Sequence, residues 1–150
     1  MSYIVRKASE EDALQVQHFI AKVGVAKQPA TTDWSSYLVA EDEQGQFVAV
    51  VRIQEVTKTI GLIRTLVVDS EKITSIFILE FLEATLHYAE NAGIKDIYLL
   101  AANEAGFLKQ LGFTKTLVNE LPKELVVMSD VQAHQEKQLP ILKKTEAVNN

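Results

Sequence analysis

Two charged residues in the middle of the chain stand where they could take part in chemistry. Arg64 interrupts the apolar, β-branched run from Ile60 to Val68, and a buried arginine needs a partner for its charge. Two roles stay open for it, a functional site and a structural ion pair. Glu55 ends the preceding apolar stretch and is a candidate general base. The pattern therefore places one cation and one carboxylate on neighbouring predicted strands.

A predicted phosphate-binding segment follows the same apolar run. Residues 69–72 break the run, and from Thr74 onward apolar residues recur at helical spacing beside one polar stripe. A strand that leads into a helix N-terminus presents free backbone N–H groups and the positive end of the helix dipole. Such sites generally use glycine, yet none lies between Gly61 and Gly93. The segment predicts an anion site that lacks its usual glycines.

Other polar residues have simpler interpretations. Asn103 follows a predicted strand, where it either caps the next helix or contacts a cofactor. His87 lies four residues after Glu83 on the polar stripe of the long helix, which favours a surface pair over a catalytic base. The acidic run at 41–43 beside Gly45 is typical of a solvated hairpin turn. No metal site is predicted.

The composition indicates one globular domain over residues 1–150. The chain has 47% hydrophobic and 23% charged residues, a mixture that can form a compact core at this length. It contains no cysteine, which excludes a disulfide framework and thiolate metal sites and is in keeping with a reducing, cytoplasmic location. The charged first dozen residues contain no apolar stretch of the kind that a secretory signal needs.

Charge and hydropathy also limit the predicted partners. The net charge of −5 weighs against nucleic acid, which is bound by basic surfaces. The longest apolar-rich segment, 73–92, carries three glutamates and a histidine and is too polar for a lipid-facing helix. We therefore expect neither a nucleic acid nor a membrane as partner.

The order of predicted elements is β-α-β-β-β-α-β-α-β. Strands are predicted at Tyr3–Lys7, Tyr37–Ala40, Phe47–Val56, Ile60–Val68, Asp96–Ala101 and Phe113–Val118, and helices from Ser9 to about Val23, from Thr74 to Ala92 and from Asn103 to Leu111. Ser9 is the predicted N-cap of the first helix, with Asp12 at the capping-box distance. Antiparallel strands early and a parallel crossover later predict an α/β fold with a mixed sheet.

The C-terminal extension, residues 119–150, is harder to interpret. It is predicted to be mainly helical from Pro122 to about Gln138, to pair at a sheet edge over Leu139 to Lys143, and to fray after Thr145. Residues 25–33 are predicted to form a loop or a short helix.

Four segments, in the right order over residues 3–118, resemble the GNAT superfamily of acetyl-CoA-dependent N-acetyltransferases. They are VRKASEED at 5–12, YLVAEDEQGQFVAVVRI at 37–53, GLIRTLVV at 61–68 and FLKQLGF at 107–113. Within the superfamily, GLIRTLVV, YLLAANEAGFLKQLGF and the later ELP at 120–122 look most like the glutamate and arsenic-resistance N-acetyltransferase branch.

The resemblance implies transfer of an acetyl group from acetyl-CoA to the amine of a small amino-acid-like acceptor by direct attack. In such enzymes one central strand pairs with the pantetheine amides, and a helix start holds the pyrophosphate. Glu55 and Arg64 become the candidate catalytic residues. The residues implied in cofactor binding are Leu66, Val67, Val68, Ile73, Thr74, Ser75, Ile76, Phe77, Ile78, Asn103, Phe107 and Leu108. A homodimer is a further expectation from the family.

The chain departs from the family pattern at two places. The family's arginine or glutamine and the two small residues of its phosphate loop fall on Ile73, Ile76 and Ile78, or in a shifted register on Lys72, Ser75 and Phe77. The frequent tyrosine acid falls on Leu108. A second function class therefore stays open, a GNAT-fold binding or interaction module that no longer uses acetyl-CoA.

Overall fold

The computed structural model describes residues 3–23, 36–69, 71–101 and 106–144. The predictions for residues 25–33 and for the end of the chain after Thr145 lie outside this part, as does Asn103.

The order of strands and helices agrees with the sequence interpretation. The strands are β1 (Ile4–Lys7), β2 (Tyr37–Glu41), β3 (Phe47–Glu55), β4 (Ile60–Val68), β5 (Asp96–Leu100), β6 (Phe113–Lys115) and β7 (Ile141–Lys144). The helices are α1 (Ala13–Val23), α2 (Ser75–Asn91), α3 (Gly106–Gln110), α4 (Lys123–Val126) and α5 (Ser129–Glu136). Strand β6 ends at Lys115, before the predicted end at Val118, and a 3-10 turn follows at Val118–Glu120.

The strands form one mixed sheet, in the order β1-β2-β3-β4-β5-β7-β6. Strands β1, β2 and β3 are antiparallel, with Ile4 opposite Glu41 and Tyr37 opposite Arg52. Strand β4 runs parallel to β5, from Ile60 opposite Asp96 onward. The mixed sheet predicted from the element order is confirmed.

Strand β7 corrects the prediction that Leu139 to Lys143 pair at a sheet edge. It lies between β5 and β6 and is antiparallel to both, with Leu142 opposite Leu99 and Lys115. Ile141 and Leu142 are both buried. Two consecutive buried side chains point to opposite faces of a strand, which is the pattern of an interior strand.

The residues group into two compact units. The first contains Met1–Ile53 and Thr65–Thr85, and the second contains Gln54–Arg64 and Leu86–Asn150. The single domain predicted over residues 1–150 stays a prediction.

The core of the first unit lies between α1 and strands β2 and β3. It contains Ala8, Val16, Phe19, Ile20, Tyr37, Val39, Phe47 and Val50, with Val67 of β4 packed against it. Arg6 donates to both carboxylate oxygens of Asp12 at 2.8 and 3.0 Å, and the backbone N–H of Ser9 donates to Asp12 at 2.8 Å. The carboxylate of Asp12 thus reaches back to the predicted N-cap.

The core of the second unit is built largely from the C-terminal residues. Leu121, Leu125, Val131 and Ile141 pack with Leu62 of β4 and Tyr98 of β5. Leu125 and Val131 are each 1% exposed, so α4 and α5 cover this face of the strands. Burial of such side chains stabilises the fold by about 1.5–3 kcal/mol each. Within the described residues, no helix is long and apolar enough to cross a membrane.

Candidate functional site

The turn between β4 and α2 is built around Asp69. Its backbone N–H donates to the carbonyl of Val48 at 2.9 Å, and its own carbonyl accepts from the N–H groups of Lys72 and Ile73 at 3.0 and 3.2 Å. The Asp69 carboxylate accepts from the N–H of Glu71 at 3.2 Å. These bonds fix the direction in which the chain leaves the strand and enters the helix.

The start of α2 is capped by Thr74 and open to solvent. The hydroxyl of Thr74 accepts from the N–H of Phe77 at 3.2 Å, and its carbonyl accepts from the N–H of Ile78 at 3.2 Å. The N–H groups of Ser75 and Ile76 precede the first helical bond and are left by helix geometry for another acceptor. The first turn carries no acidic residue, so the positive end of the helix dipole is not offset there.

The other predicted phosphate-loop residues differ in exposure. Ile76 is 67% exposed, whereas Ile73 and Phe77 are buried at 8% and 7%. The Phe77 ring lies 4.2 Å from the Tyr3 ring, and the Tyr3 hydroxyl donates to the carbonyl of Lys72 at 3.1 Å. Ile78 is half-buried. The side chains of Ile73 and Phe77 therefore anchor the turn, and their backbone N–H groups donate within it, to the carbonyl of Asp69 and the hydroxyl of Thr74.

The predicted pantetheine-binding residues form the second half of β4. Leu66, Val67 and Val68 are half-buried, and Val67 packs on the core of the first unit. Successive side chains of a strand alternate, so Leu66 and Val68 point away from that core.

Arg64 is held by two described partners. Its guanidinium donates to the side-chain oxygen of Gln54 on β3 and forms an ion pair with Asp130 in the first turn of α5. The Arg64 side chain is 20% exposed and that of Asp130 is 38% exposed. The ion pair proposed as one interpretation of Arg64 is present, and its role in a site stays a prediction.

Glu55 does not lie beside Arg64. It is exposed at the end of β3, directly after Gln54. Because neighbouring side chains of a strand point to opposite faces, Glu55 projects from the face opposite to Gln54 and Arg64. The side chains of Glu55 and Arg64 therefore cannot contact the same small substrate from these positions.

Three further candidates follow β5 in the sequence. Leu108 is buried at 5% exposure, in the position where the family often has a tyrosine. Asn103 and the side chain of Phe107 lie outside the described residues. Tyr98 on β5 is buried, and this burial raises the pKa of its phenol, an effect that Lys143 partly opposes at 5.8 Å from the ring centroid.

Sequence reasoning missed several residues that shape these segments. The sequence pattern places Tyr3 only in a strand, yet its hydroxyl donates to Lys72 and its ring packs on Phe77. The sequence around Asp130 and Gln54 does not indicate that they contact Arg64. An acidic residue in a first helical turn and a glutamine in a strand are both common. In the described part of the chain, no group of three or more His, Asp or Glu side chains could hold a metal ion.

Comparison with known proteins supports the fold. No family model matches the chain. An uncharacterised protein of Bacillus subtilis (strain 168), YwlB, is 26% identical over 127 residues, which cover 83% of this chain and 84% of YwlB.

Several solved structures superpose on this chain over nearly its whole length. Rv2747 from Mycobacterium tuberculosis, in complex with CoA, is 16% identical and superposes with a TM-score of 0.78 over 96% of this chain and 99% of Rv2747. N-acetylglutamate synthase from Neisseria gonorrhoeae, complexed with coenzyme A and N-acetyl-glutamate, is 16% identical with a TM-score of 0.72 over 96% of this chain. The match spans 35% of the synthase, about a third of its length.

A third structure matches this chain over nearly the whole of both chains. The ribosomal-protein-S18-alanine N-acetyltransferase from Escherichia coli is 16% identical, with a TM-score of 0.68 over 99% of this chain and 98% of the enzyme. Together with the mixed sheet and the β4–α2 connection, these structures show that the chain has the GNAT acyl-CoA N-acyltransferase fold.

Proposed function

We propose that this chain is an N-acetyltransferase that moves an acetyl group from acetyl-CoA to the amine of a small amino-acid-like acceptor. The observation that carries the proposal is the open, Thr74-capped start of α2 directly after β4 in a GNAT fold. Support comes from similar structures solved with coenzyme A, one of which also holds N-acetyl-glutamate.

The residues at the start of α2 suit a pyrophosphate without glycine. Backbone N–H groups bind phosphate whatever side chains they carry, and those of Ser75 and Ile76 lie at the positive end of a helix of 17 residues. The side-chain charges of the turn do not add to this attraction, because Lys72, whose ammonium contacts the side-chain oxygen of Gln46 at 3.2 Å, is outnumbered by Asp69 and Glu71. The missing glycines therefore remove backbone freedom but not the donors.

The second half of β4 would hold the rest of the cofactor. The backbone groups of Leu66, Val67 and Val68 would pair with an extended amide-containing arm as an added strand does. This mode uses main-chain hydrogen bonds, so it tolerates the aliphatic side chains found here.

Acetyl-CoA, when bound, supplies an acetyl thioester that an amine attacks directly. The acceptor would react as the fraction of free amine present in solution, because Glu55 projects from the face opposite to Arg64 and cannot reach the amine of a small acceptor held there. We assign to Arg64 the recognition of the acceptor's carboxylate, because a guanidinium binds carboxylates in a fixed geometry. Asp130 and Gln54 would orient that guanidinium.

The proposal is tested by turnover of acetyl-CoA with a panel of amino acids and other small amines. Release of free coenzyme A thiol that depends on the amine, with an N-acetylated product in the mass spectrum, is the expected result. If no amine accelerates thiol release while calorimetry detects acetyl-CoA binding, the acceptor class is wrong. If acetyl-CoA gives no heat up to about 1 mM, a free energy near −4 kcal/mol, the use of the cofactor is wrong as well.

A further inference from the structure

A cavity lies in the second unit, and none of its lining residues is among those assigned to acetyl transfer. Its volume is about 250 Å³, several times the roughly 30 Å³ that one water occupies in the liquid. Its apolar lining includes Leu121, Leu139 and Ile141, and its polar lining includes Lys115, Gln135 and Gln138. We call it the amide cavity, after its two glutamines.

The amide cavity borders an unusual helix end. After α5, the N–H of Leu139 donates to the carbonyl of His134 at 3.1 Å, and the N–H of Gln138 donates to the carbonyl of Gln135 at 2.9 Å. This pair of bonds is the Schellman cap, which places one residue in the left-handed conformation. That residue is Gln138, with a φ of 58°, and it has the only positive φ among the described residues other than glycine.

The end of α2 makes the same turn with glycine. There the N–H of Ile94 donates to the carbonyl of Ala89 and the N–H of Gly93 donates to that of Glu90, both at 3.0 Å. Gly93 has a φ of 96° and carries no side chain to strain. A glutamine at the equivalent position of α5 is disfavoured by the backbone, and non-glycine residues in this conformation concentrate at functional sites.

A second observation at the same place concerns hydrogen bonding. The side-chain nitrogen of Gln135 is buried and has no hydrogen-bond partner in the described structure. A buried donor without an acceptor is costly, and such groups are few in native proteins. Gln135 lines the amide cavity, and a rotation of its side-chain amide would bring this donor to an acceptor atom of a ligand there.

The charge of the lining indicates which acceptor fits. Lys115 of β6 lines the amide cavity, and it forms no ion pair with any described residue. A carboxylate pairs with an ammonium and also accepts from amide N–H groups, and a single one leaves the rest of a ligand free to be apolar. We propose that the amide cavity binds a small monocarboxylate whose aliphatic or aromatic body packs on Leu121, Leu139 and Ile141.

The proposal is tested with matched acids and amides on the full chain. Isovalerate and phenylacetate are titrated beside isovaleramide and phenylacetamide, and binding is followed by amide nitrogen–proton correlation spectra. We expect saturable shifts at Thr116, Gln138 and Leu139, and an affinity for each acid about tenfold above that of its amide, equivalent to one charged hydrogen bond.

Two variants and a control identify the groups responsible. Lys115→Gln should lower the affinity for the acids about fivefold and leave that for the amides unchanged, because only the ion pair is lost. Gln138→Gly should weaken the binding of both and raise the melting temperature by about 3 °C, because glycine suits the left-handed turn. Lys123→Gln, which removes an exposed lysine of α4, should change neither affinity.

Three outcomes would overturn the proposal. They are the absence of saturable shifts at these residues for either acid, equal affinities for acid and amide, and acid binding that survives Lys115→Gln unchanged. Acetyl-CoA binding is measured separately on the same samples, so failure at the amide cavity is distinguishable from failure of the proposed acetyl transfer.

Discussion

Two arginine–aspartate pairs in this chain have similar chemistry and different surroundings. Arg6 and Asp12 are six residues apart, and the carboxylate of Asp12 also accepts from the N–H and hydroxyl of Ser9. Arg64 on β4 meets Asp130 on α5, a partner from a distant part of the chain. The first pair closes a local turn, whereas the second joins a central strand to the C-terminal helices.

The aspartate of the Arg6–Asp12 pair is less exposed to solvent than the aspartate of the Arg64–Asp130 pair. The Asp12 side chain is 11% exposed and that of Asp130 is 38% exposed. Hydrogen bonds from Arg6 outweigh the opposing effect of burial and lower the pKa of Asp12 to about 2. We therefore expect the pair at Arg6 to matter most for stability and the pair at Arg64 to matter most for activity.

The largest effect is expected from Arg64→Ala on turnover. Loss of the guanidinium should lower kcat/KM for the best acceptor about 100-fold, equivalent to roughly 2.7 kcal/mol of lost binding. The free energy of unfolding should fall by no more than about 1 kcal/mol, because Asp130 remains partly solvated. Steady-state kinetics and urea unfolding measure the two quantities. Turnover within twofold of wild type would make Arg64 a purely structural residue.

Asp12→Ala should instead lower the stability of the protein and leave its binding of acetyl-CoA nearly unchanged. It removes a largely buried carboxylate that serves Arg6 and Ser9, so we expect the free energy of unfolding to fall by about 2–3 kcal/mol. Binding of acetyl-CoA to the folded protein should stay within about twofold of wild type. The matched variant Asp130→Ala should cost at most about 1 kcal/mol. Equal losses from the two variants would remove the distinction between the pairs.

The pH dependence of stability sharpens the same contrast. The pKa of Asp12 is lower in the folded chain, about 2, than the ordinary value of 3.8. Its stabilisation is thus fully present above pH 4 and is lost as the pH falls through 2. Allowing for solvent screening at the partly exposed Arg6, we expect wild type to lose about 1–2 kcal/mol more than Asp12→Asn in this window. The free energy of unfolding of both proteins is measured by urea titration at each pH. A difference between the two proteins that stays constant from pH 4 to 2 would contradict this prediction.

The smallest effect is expected from Asp130→Asn. Asparagine keeps a hydrogen-bond acceptor for Arg64 but removes the charge, so the guanidinium should be less firmly oriented. We expect an increase in KM of about fivefold with little change in kcat, since ground-state and transition-state binding weaken together. A decrease in kcat with unchanged KM would point to a different role for the Arg64–Asp130 pair.

Much of the fold could be predicted from local patterns. The alternation of apolar runs and turn residues located the first six strands and the helices α1, α2 and α3, because these patterns depend on near neighbours. The placement of β7 inside the sheet was missed. Its pairing with β5 and β6 depends on distant partners, although the adjacent apolar pair Ile141 and Leu142 indicated a strand covered on both faces.

Less of the candidate site could be predicted. The position of the anion-binding helix start after β4 followed from the pattern, but the side chains of Ile73 and Phe77 are in the core. Tyr3 contacts Lys72 and Phe77, and Arg64 contacts Asp130, across long stretches of sequence. Such contacts cannot be predicted from the periodicity of neighbouring residues. The left-handed backbone conformation of Gln138 could not be predicted either, because a glutamine in the sequence gives no signal for a positive φ.

The most direct test of the proposed function is titration calorimetry with acetyl-CoA on wild type and Ser75→Asp. An aspartate at the first residue of α2 should stabilise the helix by about 0.3–1 kcal/mol, yet it places a negative charge where the pyrophosphate would bind. We expect micromolar binding to wild type, at least about tenfold weaker binding to Ser75→Asp, and no change in Ser129→Asp at the first residue of α5. Equal affinities in all three proteins, or no binding to wild type, would contradict a cofactor site at the start of α2.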